Sequence, residues 1–305
     1  MNDKRDTANP ILFEPEAQPA SESGAAQPPE RAESAPDHGT YAPGWAAKLG
    51  LAIGRRLPAG RTGLRAAGAV RPLALTGVRD GQCDVEALGL KLRLHPKDNL
   101  SEKRIFLTPQ CFDPEELDAV RAVMGAGQTF IDIGANAGAY ALVAAKAGGP
   151  GARVIAVEPQ REMRRRLLFN ARQNKLHTIE VTGVALADYE GQDILRMVEG
   201  NRGGAALDAK GTDGEAVRVT RLATLLEELK VSRLDGMKID VEGGELPILA
   251  AYFKSVAPEA WPELMVLERA DLADRDAPDA AALAMAKGYG VKARARMNVI
   301  LTRPR

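Results

Sequence analysis

"TFIDIGANAGAY", residues 129–140, is the stretch on which the reading of the fold turns. A short apolar run, Phe130-Ile131-Asp132-Ile133, enters Gly134, and Asn136 and Gly138 follow before an alanine-rich segment. Strand, glycine turn and helix in that order make the cofactor loop of an open α/β sheet. A dinucleotide loop, G-x-G-x-x-G, needs its second glycine so that a pyrophosphate can approach the backbone. Here the three positions read Gly134, Asn136 and Ala139, and the middle one fails. Asp132 adds a carboxylate two residues before Gly134, which would repel a pyrophosphate and attract a ligand with cationic groups. S-adenosylmethionine, with an ammonium, a sulfonium, an adenosine and one carboxylate, fits that description. Asn136 tolerates a left-handed backbone, and Gly138 lets the next helix start close by. The competing structural role for Asp132 is to cap that helix.

The second element of such a site is an acid at the end of the next strand, for the ribose hydroxyls. "RVIAVEP" (153–159) supplies Glu158, 24 positions after Gly134. From Thr129 onward strands and helices alternate. Strands are expected at 129–134, 153–158, 179–185, near 217–220, 235–241 and 264–269. Helices are expected at 138–147, 161–174, 222–230, 245–253 and 279–287. A closing strand pair should lie near 290–295 and 298–302. Alternation of this kind predicts right-handed βαβ units and a doubly wound, mostly parallel sheet. Ahead of it, residues 82–94 alternate around Gly89 as a hairpin. Asp113-Pro114-Glu115-Glu116 opens a helix with the usual start signals, ending near Gly125.

"DGMKIDVEGGELPIL" (235–249) is the other dense stretch. Met237, Ile239 and Val241 alternate with Lys238, Asp240 and Glu242, so the three charged side chains share one strand face. Gly243-Gly244 ends the strand and Glu245 favours the next helix start. Paired beside the first strand, Asp240 and Glu242 approach the crevice of Asp132. Methyl transfer from a sulfonium is an in-line displacement that needs an aligned acceptor and, for an alcohol, removal of its proton. Asp240 and Glu242 suit the base, or could hold a divalent cation that acidifies the hydroxyl. His95, in "LRLHPKDN", is a further candidate base leaning over the site from the loop after the hairpin.

Composition bounds the rest. At 305 residues, with 45% hydrophobic and 4% aromatic residues, the chain can bury a sizeable α/β core. Basic and acidic residues balance at 41 each, so no global field points to nucleic acid. Cys83 and Cys111 are too few for a disulfide framework or a zinc site. No leader and no membrane-spanning run is read, so a cytoplasmic location is expected.

Residues 1–40 hold three basic against eight acidic side chains with repeated Pro, Ala and Ser, and are expected to be a disordered acidic tail. Residues 41–80 are basic and partly helical: Lys48 to Arg79 carries seven cations and no acid. Trp45, Leu49, Ile53 and Leu57 form a stripe there. Residues 45–57 therefore read as a helix docked on the catalytic domain, as a fragile helix weakened by Gly50 and Gly54, or as a peripheral membrane contact. Residues 81–305 are expected to form the catalytic domain.

Taken together, "TFIDIGANAGAYAL" (129–142), "VIAVEPQ" (154–160), "LLFNARQN" (167–174), "GVALAD" (183–188), "RLATLLEEL" (221–229), "MKIDVEGGELPIL" (237–249) and "LMVLERA" (264–270) resemble the FkbM family of S-adenosylmethionine-dependent methyltransferases. The similarity spans about residues 95–302. It implies a class I methyltransferase sheet, Rossmann-like, with an antiparallel terminal hairpin, and O-methylation of a hydroxyl on a sugar, glycan or polyketide-type acceptor. By that pattern Asp132, Gly134, Asn136, Gly138 and Glu158 would bind the cofactor, with Ala185 to Asp188 near the adenine. Glu268-Arg269 departs from relatives that carry a His or other polar residue after the Glu, which bears on acceptor recognition. A nicotinamide-dependent oxidoreductase is opposed by Asp132 and Asn136. A silent binding protein is opposed by the retained acids Asp132, Glu158, Asp240 and Glu242.

Overall fold

Two helices, α1 (Trp45–Gly54) and α2 (Arg61–Leu75), open the computed structural model, which describes residues 35–198, 201–207, 214–241, 243–268 and 279–304. Residues 1–34 of the expected acidic tail, and Glu242, lie outside the described residues. Residues 36–41 are tied to the fold. Arg93 donates to the carbonyls of Pro36 and Asp37, and Asp84 accepts from the N–H groups of Gly39 and Tyr41. The buried Arg93–Asp84 ion pair supplies the backbone partners there.

The expected hairpin is β1 (Cys83–Ala87) and β2 (Leu90–Leu94), turning through Leu88 and Gly89, both at positive φ. A helix absent from the sequence reading follows, α3 (Leu100–Leu107), whose N-cap Asn99 accepts the N–H of Glu102. Then α4 (Pro114–Val123) starts with Pro114 and two glutamates, as expected. Its cap differs: Asp113 is left-handed at φ 42° and makes no capping bond, its carboxylate engaging Arg104 and Tyr140 instead.

The central unit runs β3 (Thr129–Ile133), α5 (Ala139–Gly148), β4 (Arg153–Val157), α6 (Arg161–Gln173) and β5 (Ile179–Thr182). After an excursion into a second sheet come β10 (Gly236–Ile239), α8 (Glu245–Ser255), β11 (Leu264–Glu268), α9 (Ala280–Ala286), β12 (Gly290–Arg294) and β13 (Asn298–Thr302). Among the described residues the central sheet has seven strands in the order β12-β13-β11-β10-β3-β4-β5. Strands β11, β10, β3, β4 and β5 are parallel, and β12–β13 form the antiparallel closing pair. The doubly wound sheet with a terminal hairpin is thus present. Its inner strands read as near-continuous apolar runs because helices cover both faces. Parity sorts them: Phe130 and Val154 face one core cluster, Ile131, Ile133 and Ile155 the other. Strand order reverses between β3 and β10, so the crevice beyond their carboxyl ends is the place for a ligand.

The excursion comprises β6 (Ala185–Leu186), β7 (Gly191–Val198), β8 (Asn201–Leu207), β9 (Glu215–Thr220) and helix α7 (Leu222–Glu228). The strands make a four-stranded sheet ordered β6-β9-β7-β8. This corrects two expectations. The strand placed at 179–185 ends at Thr182, and the strand near 217–220 belongs to this second sheet.

Candidate active site

A cavity of about 640 Å³ opens at the strand-order switch. Its floor is the loop after β3, where Gly134, Asn136 and Gly138 are all left-handed, with φ of 72°, 52° and 91°. Gly134 is required by crowding. A Cβ there would lie 1.9 Å from the carbonyl oxygen of Asp240, where the loops after β3 and β10 cross. Gly138 answers to packing: its Cβ would meet Leu167 of α6 at 2.5 Å, and the residue does not line the cavity.

The N–H groups of the loop are already engaged within the protein. Gly134 and Ala135 donate to the Val157 carbonyl, Asn136 to Glu158 Oε2, Ala137 to the Asn136 side chain, and Gly138 to Ala135. A phosphate cradle needs such groups turned toward the ligand. None of these five is available, and the Glu158 carboxylate, which takes the Asn136 N–H, would repel a pyrophosphate there.

Glu158, at the end of β4, lines the cavity while accepting from Asn136 N–H and Gln160 N–H. Burial pushes its carboxyl up to about 7, against the pull of those two donors. A carboxylate has about four acceptor sites, so lone pairs remain for a vicinal diol. Beside it, Val184, Ala185, Leu186 and Ala187 form an apolar wall with Val157 and Pro159, and Asp188 stands at its exposed end. A carboxylate next to an apolar slot suits a ribose carrying a purine, and the volume lies in the range of small-molecule sites. The residues present fit an adenosyl cofactor.

Asp132 is placed otherwise than expected. It is fully buried on the face of β3 that packs under α5, and it does not line the cavity. One oxygen accepts the N–H of Ala141, in the first turn of α5, at 2.9 Å. The other lies 3.7 Å from Lys238 Nζ, its in-register partner on β10. Asp132 thus takes the capping role and supports the loop from below. Lys238 does line the cavity. Its ammonium donates to the Gly134 carbonyl at 2.9 Å and sits 3.2 Å from Asp240 Oδ2. Burial would lower that ammonium's pKa, but Asp240 and Asp132 outweigh it and hold it charged.

Asp240 is half-exposed on the opposite cavity wall. The partner expected for it, Glu242, lies outside the described residues. The carboxylates that do approach it are Glu245 and Glu268, the three lying within 4.8 Å of one another. Glu245 accepts the N–H groups of Val241 and Gly243, which fixes the turn before α8. These three acids could hold a divalent cation.

His95 is turned away from the site. The wall passes from Leu94 to Leu100 without it. Its backbone N–H donates to Glu102 Oε1, and its Nδ1 lies 3.2 Å from the same oxygen. Glu102 is itself held by Arg166, which also grips Asp98 and Glu162, so the candidate base belongs to a structural network joining α3 to α6.

Several cavity residues escaped the sequence reading. Helix α3 supplies Leu100, Ser101, Glu102, Arg104 and Ile105, and the second sheet supplies Leu195, Gly203 and Leu207. Strand β8 reaches across the cofactor loop: Asn136 donates to the Gly203 carbonyl and accepts from Asn99. The Asn99-x-x-Glu102 spacing, a helix-start signal, was the one pointer to α3.

Comparison with known proteins places this geometry. The methyltransferase FkbM domain matches residues 132–288, just over half the chain. A curated relative, the AMB antimetabolite synthetase AmbE of Pseudomonas aeruginosa PAO1, is 28% identical over 189 residues, 50% of this chain and 9% of that protein. The chain therefore spans under a tenth of the relative's length. Among solved structures, the O-methyltransferase TomG of Streptomyces achromogenes, in complex with SAM, is 16% identical. That match covers 65% of this chain and 81% of TomG, at a TM-score of 0.39. A ribosomal protein L11 methylase from Lactobacillus delbrueckii subsp. bulgaricus is 13% identical over 62% of this chain and 77% of its own, also at 0.39. By its domain match the chain belongs to the FkbM family of S-adenosylmethionine-dependent methyltransferases.

Proposed function

We propose that the protein is an O-methyltransferase acting on a hydroxyl of a sugar, a glycan or a related small acceptor. The observation that carries this reading is Asp240, a half-exposed carboxylate on the cavity wall opposite the apolar slot, oriented by Lys238 and flanked by Glu245 and Glu268. When bound, S-adenosylmethionine supplies the electrophilic methyl. The chain's own residues must then align the acceptor and take its proton. Glu158 holds the ribose, Val184 to Ala187 hold the base, and Asp240 accepts the hydroxyl proton. Arg104, Asn298 and Glu268, all on the wall, offer the donors and acceptors a polyol requires. Lys238 keeps Asp240 turned toward the cavity and ties it to the cofactor loop. The three-acid cluster favours a second form of the same chemistry, in which a divalent cation on Asp240, Glu245 and Glu268 acidifies the hydroxyl. The likeness to part of an antimetabolite synthetase favours a secondary-metabolite hydroxyl, polyketide-type included, as the alternative acceptor.

The test is transfer of labelled methyl from S-adenosylmethionine to extracted glycans and to a panel of hydroxylated small molecules, with and without chelator. Alkali-stable label in an ether is expected. Asp240→Asn should lose about a hundredfold or more in turnover while keeping its affinity for S-adenosylhomocysteine. Label recovered on an amine or a carboxylate, or full turnover in that variant, would overturn the proposal. Loss of activity to chelator, restored by added divalent cation, would select the cation form.

A further inference from the structure

Helix α1 docks through its small residues and leaves its apolar stripe outside. A Cβ on Gly50 would lie 2.7 Å from the backbone nitrogen of Ala74 in α2, and one on Gly54 would lie 2.8 Å from Leu107 in α3. Gly50 is thus a contact of α1 with α2 and Gly54 a contact with α3, neither a weak point in a free helix. The opposite face carries Trp45, Leu49 and Ile53, spaced four apart, with 81%, 50% and 41% of their surface exposed. On a helix those three form one row, Lys48 and Ala52 belong to the row beside it, and Arg56 follows in the turn after the helix. Lys48 and Arg56 are exposed too. Across the hairpin, α2 adds exposed Arg61, Arg65 and Arg71, and no acidic residue occurs between positions 41 and 79.

An aromatic and two aliphatic side chains in water beside at least five exposed cations form an interfacial surface. The charge pattern selects its occupant. A second copy of the chain would bring this basic, acid-free hairpin against itself. A nucleic acid would neutralise the cations but leave Leu49 and Ile53 facing phosphates. An anionic lipid surface satisfies both features, with headgroups meeting the cations and the acyl boundary meeting the stripe. We infer that the α1–α2 hairpin docks the protein on an anionic membrane surface. Helix α3, against which the hairpin packs, also forms a wall of the catalytic cavity. Docking therefore sets the cavity one helix away from the bilayer.

The experiment is co-sedimentation of the full chain with vesicles of phosphatidylcholine, pure or containing about 30% phosphatidylglycerol, at about 0.1 M salt. Partition into the anionic vesicles should exceed that into neutral ones at least tenfold, and should fall on raising the salt. Trp45 emission should shift to the blue on binding in a Trp261→Phe background. The variant Trp45→Gln/Leu49→Gln/Ile53→Gln should lose at least tenfold in partition while keeping its affinity for S-adenosylhomocysteine, which shows that it folds. Lys48→Gln and Arg65→Gln should each cost about fivefold. Equal partition into both vesicle types, or none, overturns the inference. So does unchanged binding by the apolar variant, which would leave a simple polyanion site. Self-association lost in that variant without any vesicle binding would assign the face to a second copy and equally overturn it.

Discussion

At the scale of single residues, the ribose contact proposed for Glu158 would couple protonation to cofactor binding. Its carboxyl titrates near 7 because burial disfavours the charge more than two backbone donors favour it. A ribose diol donates hydrogen bonds and so prefers the ionised form. S-adenosylhomocysteine should therefore bind about tenfold more weakly at pH 6 than at pH 8, and calorimetry on Glu158→Gln should find weak affinity with no such dependence. The sign for stability is opposite. Between its ordinary value of 4.5 and about 7 the folded protein holds a proton that the unfolded chain has released. Glu158 alone thus makes the unliganded protein less stable as pH rises through that window. Lys238 presents a second case. Replacing it by Met leaves the buried Asp132 without a counter-charge, which costs about 3–5 kcal/mol. That corresponds to a fall of roughly 6–20 °C in Tm for a domain of this size. Adding Asp132→Asn to Lys238→Met should recover part of that loss. A double variant no more stable than the single one would refute the ion-pair role. Asp132→Ala, on the same grounds, should lower Tm as well as cofactor affinity, because the carboxylate both caps α5 and balances Lys238.

At the scale of elements, the β7–β8 pair decides how firmly the cofactor loop is held. Gly203 passes so close to the loop that a Cβ would lie 2.6 Å from both the Asn136 and Asn99 amide nitrogens. Gly203→Ala should lift β8 off the loop, weakening S-adenosylhomocysteine binding about threefold to tenfold with little change in Tm. Faster hydrogen exchange confined to residues 201–207 would accompany it, and unchanged exchange there would show that β8 does not hold the loop. This element was hidden in the sequence for a physical reason. Strand β8 reads Asn-Arg-Gly-Gly-Ala-Ala-Leu, with no β-branched run and no alternation to mark a strand, so its pairing with β7 comes from tertiary context. The inner strands, in contrast, are buried on both faces and announce themselves as apolar runs ending in Gly134, Glu158 and Asp240. The candidate site was legible to the same extent. Residues that end strands could be placed in the crevice, since topology carries them there. Which way Asp132 and His95 face depends on Lys238 and Glu102, neither of which local pattern joins to them.

At the scale of the whole molecule, the cavity lies where separately packed parts meet. The two main core clusters cover opposite faces of one sheet, and β3, β4 and β11 contribute alternate residues to both. A third, smaller cluster holds the second sheet together around Leu195, Val217 and Val219. The cavity draws on all of these: Leu142 and Ile105 from one face, Ile133 and Val157 from the other, and Leu195 from the second sheet. A ligand seated there binds only when every part is in place, so its binding free energy adds to the stability of the whole. At about a thousand times its dissociation constant, S-adenosylhomocysteine should contribute about 4 kcal/mol and raise Tm by roughly 8–16 °C. NAD at the same concentration should give no shift, because the N–H groups of Gly134 to Gly138 are already engaged. The central sheet shares its strands between two clusters, so it must melt as one unit. The second sheet has a core of its own and touches the loop through Asn136 and Gly203. Without ligand, near-ultraviolet and far-ultraviolet melts should therefore separate, the signal of Tyr189 on the second sheet side leading. With S-adenosylhomocysteine bound across the cavity they should coincide. Coincident melts in both states would mean that the second sheet is welded to the central one without the cofactor's help.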